Sequence, residues 1–86
     1  MMAKKPLKRG KIVEEQESIM LIAEDGKAYK VTKSVANFWK MCDGSKSLGE
    51  LVNSLAEKFN VKPEAVKPRV LEVVDSLQKV NLLELV

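Results

Sequence analysis

The stretch that decides the fold is residues 29–44, YKVTKSVANFWKMCDG, where strand-like sequence gives way to helix-like sequence. Residues 29–31 place an aromatic and a β-branched residue on either side of a lysine, the alternation typical of a half-buried strand. Thr32 then offers a hydroxyl oxygen to the free N–H groups of a helix that begins at about Lys33. The pattern predicts a sheet before residue 32 and helices after it.

The helix predicted after Thr32 carries one apolar stripe. Its members are spaced i, i+3, i+4 and i+7 and are Val35, Phe38, Trp39 and Cys42. The stripe includes the only tryptophan of the chain. Asp43 and Gly44 end the helix, because glycine adopts the left-handed backbone conformation at little cost.

Three short strands are predicted before this helix, over residues 11–13, 18–23 and 27–31. Asp25-Gly26 favours a two-residue hairpin turn, which would set Ile22 opposite Tyr29. The core face would then consist of Met20, Ile22, Tyr29 and Val31. The other face would carry Ile19, Leu21, Ala23, Ala28 and Lys30. That face is too apolar to be left wholly in water, so we expect the N-terminal segment, a second subunit or a partner to cover it.

A second helix is predicted after Gly44. Ser47 and Glu50 form a capping box at its start, in which each side chain satisfies the other residue's backbone N–H. Its buried face would consist of Leu48, Leu51, Val52, Leu55, Ala56 and Phe59. A break is predicted at residues 60–61.

The third helix contains Pro68, which removes an interior hydrogen bond. Either the helix begins at Pro63 and kinks at Pro68, or a short turn over residues 63–66 precedes a main helix from Pro68. We favour the second arrangement. The predicted core stripe of this helix is Val66, Val70, Val73, Leu77 and Val80, and the C-terminal residues Leu82, Leu83 and Leu85 should pack on the body.

The predicted order β-β-β-α-α-α belongs to the α+β class. It outlines a winged-helix-like domain, a three-stranded antiparallel sheet followed by a three-helix bundle. The net charge of +3 is unevenly distributed: residues 1–11 hold five basic and no acidic side chains, so the rest of the chain holds ten basic and twelve acidic side chains, or −2. We predict a basic, flexible N-terminal arm over residues 1–11 and a single domain over residues 12–86.

The composition excludes the commonest catalytic chemistry. The chain has no histidine and a single cysteine, Cys42, so the usual zinc sites and Cys-His nucleophile pairs cannot form. The four glycines are scattered, and no phosphate-binding loop is present. We predict that the protein is not an enzyme and needs no cofactor or metal. With no apolar run long enough to cross a bilayer and no secretory signal, we expect a cytoplasmic protein with no membrane partner.

The sequence resembles the PqqD family, pyrroloquinoline quinone biosynthesis protein D, whose fold is also called the RiPP precursor-peptide recognition element. The matching motifs are Val31-Thr32, Phe38-Trp39, Met41-Cys42-Asp43-Gly44 and Ser47-Leu48-Gly49-Glu50-Leu51. The resemblance extends over residues 12–86. Two departures from the family pattern are Thr32, in place of the usual asparagine, and Arg69, where the family commonly has aspartate.

The resemblance implies a non-catalytic, chaperone-like module in PQQ or related peptide biosynthesis. In such domains a precursor or leader peptide adds as a strand to the edge of the third predicted strand, against the third helix, and is delivered to a modifying enzyme, typically of the radical-SAM type. The implied peptide-binding residues are Lys27, Ala28, Tyr29, Lys30, Val31, Arg69, Val70, Val73 and Val74, with Leu71 as a further candidate. Taken singly, Val31, Val70 and Val73 fit core positions better than contact positions.

Two other functions are compatible with the pattern. A winged-helix DNA-binding protein would use the third helix for recognition, but residues 62–79 carry four basic and three acidic side chains, only +1, which argues against nucleic acid as a partner. A homodimer could pair two strand edges or two apolar sheet faces.

Overall fold

The computed structural model describes residues 2–86, which form five strands and three helices. They follow the order β1 (Pro6–Lys8), β2 (Lys11–Glu14), β3 (Ile19–Ile22), β4 (Ala28–Val31), α1 (Lys33–Met41), α2 (Leu48–Phe59), α3 (Pro63–Lys79) and β5 (Leu83–Leu85). Strands β2, β3 and β4 form one antiparallel sheet in that order, and β1 pairs with β5 in a second. The predicted α+β class, with three strands leading into three helices, is confirmed.

The N-terminal segment from Met2 packs into the fold, which corrects the flexible arm predicted over residues 1–11; residue 1 of that arm lies outside the described residues. Pro6 lies opposite Leu85 in the two-stranded sheet and is fully buried. The carbonyls of Lys4 and Met2 accept hydrogen bonds from the first two amides of α2 at 2.9 and 3.0 Å. Because a helix N-terminus leaves such amides without intrahelical partners, this segment satisfies groups that α2 cannot satisfy itself.

The hairpin turn between β3 and β4 has three residues, 24–26, instead of the predicted two, because Ala23 and Lys27 still pair. The Ala23 N–H donates to the Lys27 carbonyl at 2.8 Å, and the Gly26 N–H donates to the Ala23 carbonyl at 2.9 Å. Gly26 has φ of +90°, so the turn ends on a left-handed glycine. A four-residue turn closed by such a glycine is the usual three-residue hairpin loop.

The longer loop shifts the register by one residue and turns β3 over relative to the prediction. Leu21 lies opposite Tyr29, and Ile22 lies opposite Ala28. Leu21 is fully buried, whereas Ile22 is only partly buried. The predicted core face of β3 is therefore wrong, while Tyr29 on β4 does pack against the core as predicted.

Helices α1 and α2 begin as the sequence predicts. The Thr32 hydroxyl accepts a hydrogen bond from the Val35 amide at 3.3 Å. At α2 the Ser47 hydroxyl accepts from the Glu50 amide at 3.2 Å, and the Glu50 carboxylate accepts from the Ser47 amide at 3.0 Å. The hydrogen bonds from Ser47 lower the pKa of Glu50, so the capping box holds at neutral pH.

Helix α3 is continuous from Pro63 through Pro68 to Lys79, so the favoured start at Pro68 is wrong. Pro63 occupies the first helical turn, where its missing N–H costs nothing. Pro68 lacks the N–H that would bond back to the Glu64 carbonyl, but Glu64 is exposed and water can serve that carbonyl. The burial of the later apolar stripe is enough to hold the helix through this defect.

The hydrophobic core lies between the three helices and the inner face of β3. Its most buried large side chains are Leu21, Leu48, Leu51, Leu82 and Val74, each at 0% exposure. Two predictions about the core are wrong. Phe59, predicted to be buried, is 63% exposed, and Val74, predicted to contact a peptide, lies in the core. No helix in residues 2–86 is long and apolar enough to cross a membrane.

Trp39 joins α1 to the connection between α3 and β5. The ring is 4% exposed, and its Nε1–H donates to the Leu82 carbonyl at 2.8 Å. The Lys8 ammonium lies 5.8 Å from the ring centroid, within the range of a cation–π contact. The helix is thus fixed by an apolar surface and by one directional bond.

We predict that Trp39→Phe lowers the free energy of unfolding by about 2 kcal/mol, because it removes a buried hydrogen bond and apolar surface. Urea unfolding followed by far-ultraviolet circular dichroism measures the free energy of unfolding, because the variant has no tryptophan fluorescence to follow. Phe38→Leu serves as the control, since it shortens a buried aromatic that makes no side-chain hydrogen bond. Equal losses in the two variants would show that the indole hydrogen bond contributes nothing.

Cys42 is buried, as predicted, and its S–H donates to the Phe38 carbonyl at 3.2 Å. Burial, aided by the charge of Asp43, raises the pKa of its thiol from 9.0 to about 12. We therefore expect no reaction with Ellman's reagent at pH 8 in the native state and full reaction on unfolding. Because the folded pKa is the higher one, stability should fall as pH rises from about 9 towards 12, and less so in Cys42→Ala. Rapid labelling of the native protein would contradict this.

Candidate functional site

Strand β4 is an edge strand, paired with β3 on one side and with no strand of residues 2–86 on the other. In an antiparallel ladder, hydrogen-bonded and non-bonded residue pairs alternate. Since Ala23 and Lys27 form a bonded pair, Tyr29 and Val31 also bond towards β3. Ala28 and Lys30 consequently direct both their N–H and their C=O groups away from the sheet.

The hairpin between β2 and β3 shows independently which residues of β3 bond towards β4. The Glu15 N–H donates to the Ser18 carbonyl at 2.8 Å, so Met20 and Ile22 bond towards β2. Ile19 and Leu21 are then left to bond towards β4, as the first hairpin requires. The open edge therefore offers four backbone groups, two from Ala28 and two from Lys30.

A groove of about 390 Å³ lies between this edge and α3. Its wall along α3 and the C-cap of that helix consists of residues on one side of the helix: Arg69, Glu72, Val73, Ser76, Leu77 and Val80. From the strand and the start of α1 it is lined by Tyr29, Lys30, Val31, Thr32 and Val35, and Leu82 completes the lining. The groove thus has an apolar floor and a row of polar groups at its rim.

The charged groups at the rim are free to change partners. Arg69 pairs with Glu72 at 3.3 Å, but both side chains are 69% exposed. An ion pair this exposed contributes about 1 kcal/mol at most, because water screens it. Lys30 is exposed beside them. An acidic ligand could therefore meet Lys30 and Arg69 at little cost to the protein.

The structure brings together five of the nine predicted site residues in this groove: Tyr29, Lys30, Val31, Arg69 and Val73. Lys27 and Ala28 lie beside them at the start of the same strand edge but do not line it. Val70 and Val74 are 4% and 0% exposed, so they support the wall from the core side and cannot contact a ligand there. The further candidate Leu71 is partly buried and packs against the core.

The sequence reasoning missed several lining residues. They are Thr32, Val35, Glu72, Ser76, Leu77, Val80 and Leu82. Glu72, Ser76 and Val80 follow Arg69 at i+3, i+7 and i+11, so the helical repeat counted from Arg69 would have found them. Thr32 and Val35 had been assigned only to capping and packing.

The arrangement is suited to binding an extended chain. Four unpaired backbone groups and an apolar floor are what strand addition requires. In residues 2–86 no group of three or more His, Cys, Asp or Glu side chains could hold a metal ion. The one thiol, Cys42, is buried away from the groove.

Comparison with known protein families gives a match over most of the chain. The family described as PqqD: Coenzyme PQQ synthesis protein D matches residues 17–83, which include β3, β4, all three helices and the start of β5. The match therefore covers every residue that lines the groove. Neither the comparison with curated proteins nor that with solved structures found a match.

The alternation of inward and outward N–H groups along β4 predicts the pattern of amide hydrogen exchange. The N–H groups of Tyr29 and Val31 should be protected, because they bond to β3, while those of Ala28 and Lys30 should exchange rapidly. Residue-resolved exchange by NMR of the isolated protein measures all four amides in one experiment. The opposite alternation would mean that the register is wrong, and uniform protection would mean that the edge is already covered, as in a homodimer.

Proposed function

The chain belongs to the PqqD family of coenzyme PQQ synthesis proteins, and on that premise we propose that it is a non-catalytic peptide-binding module. It captures a precursor or leader peptide by β-strand addition to β4, against α3, and presents it to a modifying enzyme of the radical-SAM type. The observation that carries the proposal is the open edge of β4 beside the groove of α3. The cytoplasm is the expected compartment.

Backbone pairing supplies only part of the affinity. Four hydrogen bonds at about 0.5–1.5 kcal/mol each give about 2–6 kcal/mol, whereas a micromolar Kd requires about 8 kcal/mol and the peptide must also be ordered. The remainder has to come from side chains that enter the groove. Because side chains alternate along a strand, every second residue of the peptide faces the apolar floor.

Specificity follows from the same alternation. Val31, Val73 and Leu77 offer an apolar surface to the inward-facing residues of the peptide. Lys30 and Arg69 lie at the rim, where they favour acidic residues at the peptide positions that alternate with the inward-facing ones. We therefore expect the peptide to combine aliphatic residues with aspartate or glutamate.

An NMR titration of the labelled protein tests the proposal. Short peptides encoded beside its own gene are added in turn, and duplex DNA is added as a separate titrant. Shifts confined to residues 27–31 and α3 on adding one peptide would support strand addition and identify the client. Shifts of α3 and of the N-terminal lysines on adding DNA, with no response to any peptide, would refute the proposal.

A pair of proline variants tests the edge itself. Lys30→Pro removes an outward N–H without removing a bond to β3, a position at which edge strands tolerate proline. Glu14→Pro removes an outward N–H at the opposite edge of the sheet, because the Glu14 backbone also points away from β3. Each variant also removes one charge, that of Lys30 at the groove or that of Glu14 in its exposed ion pair with Lys40, so Lys30→Gln and Glu14→Gln serve as the charge controls. We predict that Lys30→Pro weakens the binding of the peptide by about tenfold or more. Glu14→Pro should leave the affinity unchanged. Calorimetric titration gives both affinities.

Equal affinities in the wild type and the Lys30→Pro variant would exclude strand addition at β4. Equal losses in the two variants would mean that the substitutions act through the stability of the sheet. Thermal unfolding of both variants separates that case from a specific effect on the edge.

A further inference from the structure

A second groove, of about 190 Å³, lies between α1, α2 and α3. Its apolar lining is provided mainly by Val35, Met41, Leu55, Phe59 and Val66. An apolar cavity of about 150 Å³ is large enough to bind benzene. The second groove therefore has room for one large aliphatic or aromatic side chain.

Phe59 borders this groove and is 63% exposed. It stands at the last residue of α2, where the helical pattern had predicted a buried ring. Single exposed hydrophobic residues are common on proteins. Here, however, the exposed ring continues the apolar lining of a groove, and that continuity distinguishes it from Val61, which is 46% exposed and lines no groove described above.

The two grooves are continuous. Val35, Arg69 and Val73 line both of them. The first groove follows β4, and α1 begins two residues after the last residue of β4. A peptide that pairs with β4 and extends past Val31 therefore reaches the second groove without leaving the protein surface.

The charges along this path have one predominant sign. The charged residues that line the two grooves are Lys30, Lys58 and Arg69 against Glu72, which is three positive and one negative, or +2. In the second groove itself Lys58 and Arg69 are the only charged lining residues. This favours an acidic ligand that also carries a large apolar side chain.

We propose that the second groove is an anchor site for the same peptide. The peptide would place one large apolar side chain against Phe59, Met41 and Leu55, outside its strand segment, with acidic residues facing Arg69 and Lys58. The proposal rests on the proposed function and makes the recognised sequence bipartite: a β-strand segment and a separate apolar anchor.

The test uses a phage-displayed library of random peptides selected on the wild-type protein, so that the natural peptide need not be known. The selected peptides should share a large apolar residue at a fixed spacing from a β-prone run, with acidic residues between. One of them is synthesised in two forms, complete and truncated before the anchor residue. Calorimetry then measures both forms against Phe59→Ala, with Val61→Ala as the matched exposed control.

We expect Phe59→Ala to lower the affinity for the complete peptide by about tenfold and to leave the affinity for the truncated peptide unchanged. Val61→Ala should affect neither form. Lys30→Pro should weaken both forms, because both depend on the strand segment.

The alternative outcomes separate the two proposals. If Lys30→Pro weakens binding and Phe59→Ala does not, the anchor site is refuted and strand addition stands. If only Phe59→Ala weakens binding, strand addition fails, and with it the bipartite sequence. If the wild type selects no peptide, both proposals fail. If Phe59→Ala converts a sedimenting dimer into a monomer, the groove is covered by a second copy and the anchor site is refuted.

Discussion

The carbonyl of Leu82 is the point on which the arrangement of the elements depends. It accepts two hydrogen bonds, from the indole of Trp39 at 2.8 Å and from the amide of Arg9 at 3.0 Å. A carbonyl has two lone pairs, so both are used. These bonds join α1 and the chain after β1 to one buried residue in the connection between α3 and β5. Leu82 also lines the groove, so the residue that joins these elements is part of the candidate site as well.

The sequence predicted the starts of α1 and α2 because a cap is a local device, whereas the start of α3, which has no side-chain cap, was predicted wrongly. Thr32 and Ser47 need only an amide three residues ahead, and both bonds are present. The predicted register of β3 and β4 was wrong because Asp25-Gly26 suits either a two-residue or a three-residue loop. The burial of Leu21 decides between them, and that is a property of the whole core. β1 was missed because three residues show no periodicity and their partner, β5, lies at the other end of the chain.

The site was predictable to the extent that it depends on the strand edge. Tyr29, Lys30 and Val31 were expected there because the resemblance to the PqqD family implies strand addition at the third predicted strand, and β4 is an edge strand in the structure. The helix wall was predicted less well. Val73 and Val74 are neighbours in sequence, yet Val74 is fully buried while Val73 lines both grooves. Their roles depend on how α3 is rotated against α2, and the apolar pattern alone allowed either valine to face the core.

Helix α3 divides its two tasks between two faces. Val70, Val74 and Leu77 hold it in the core, while Arg69, Glu72 and Ser76 lie on the groove side. The ion pair of Arg69 with Glu72 is exposed and contributes little to stability. The groove face can therefore change its charge without loss of the fold. This accounts for how the fold tolerates Arg69, where the resemblance led us to expect aspartate, and under the proposed function the departure bears on which peptide is bound. Under the proposed function, an arginine at the junction of the two grooves disfavours basic peptides at both.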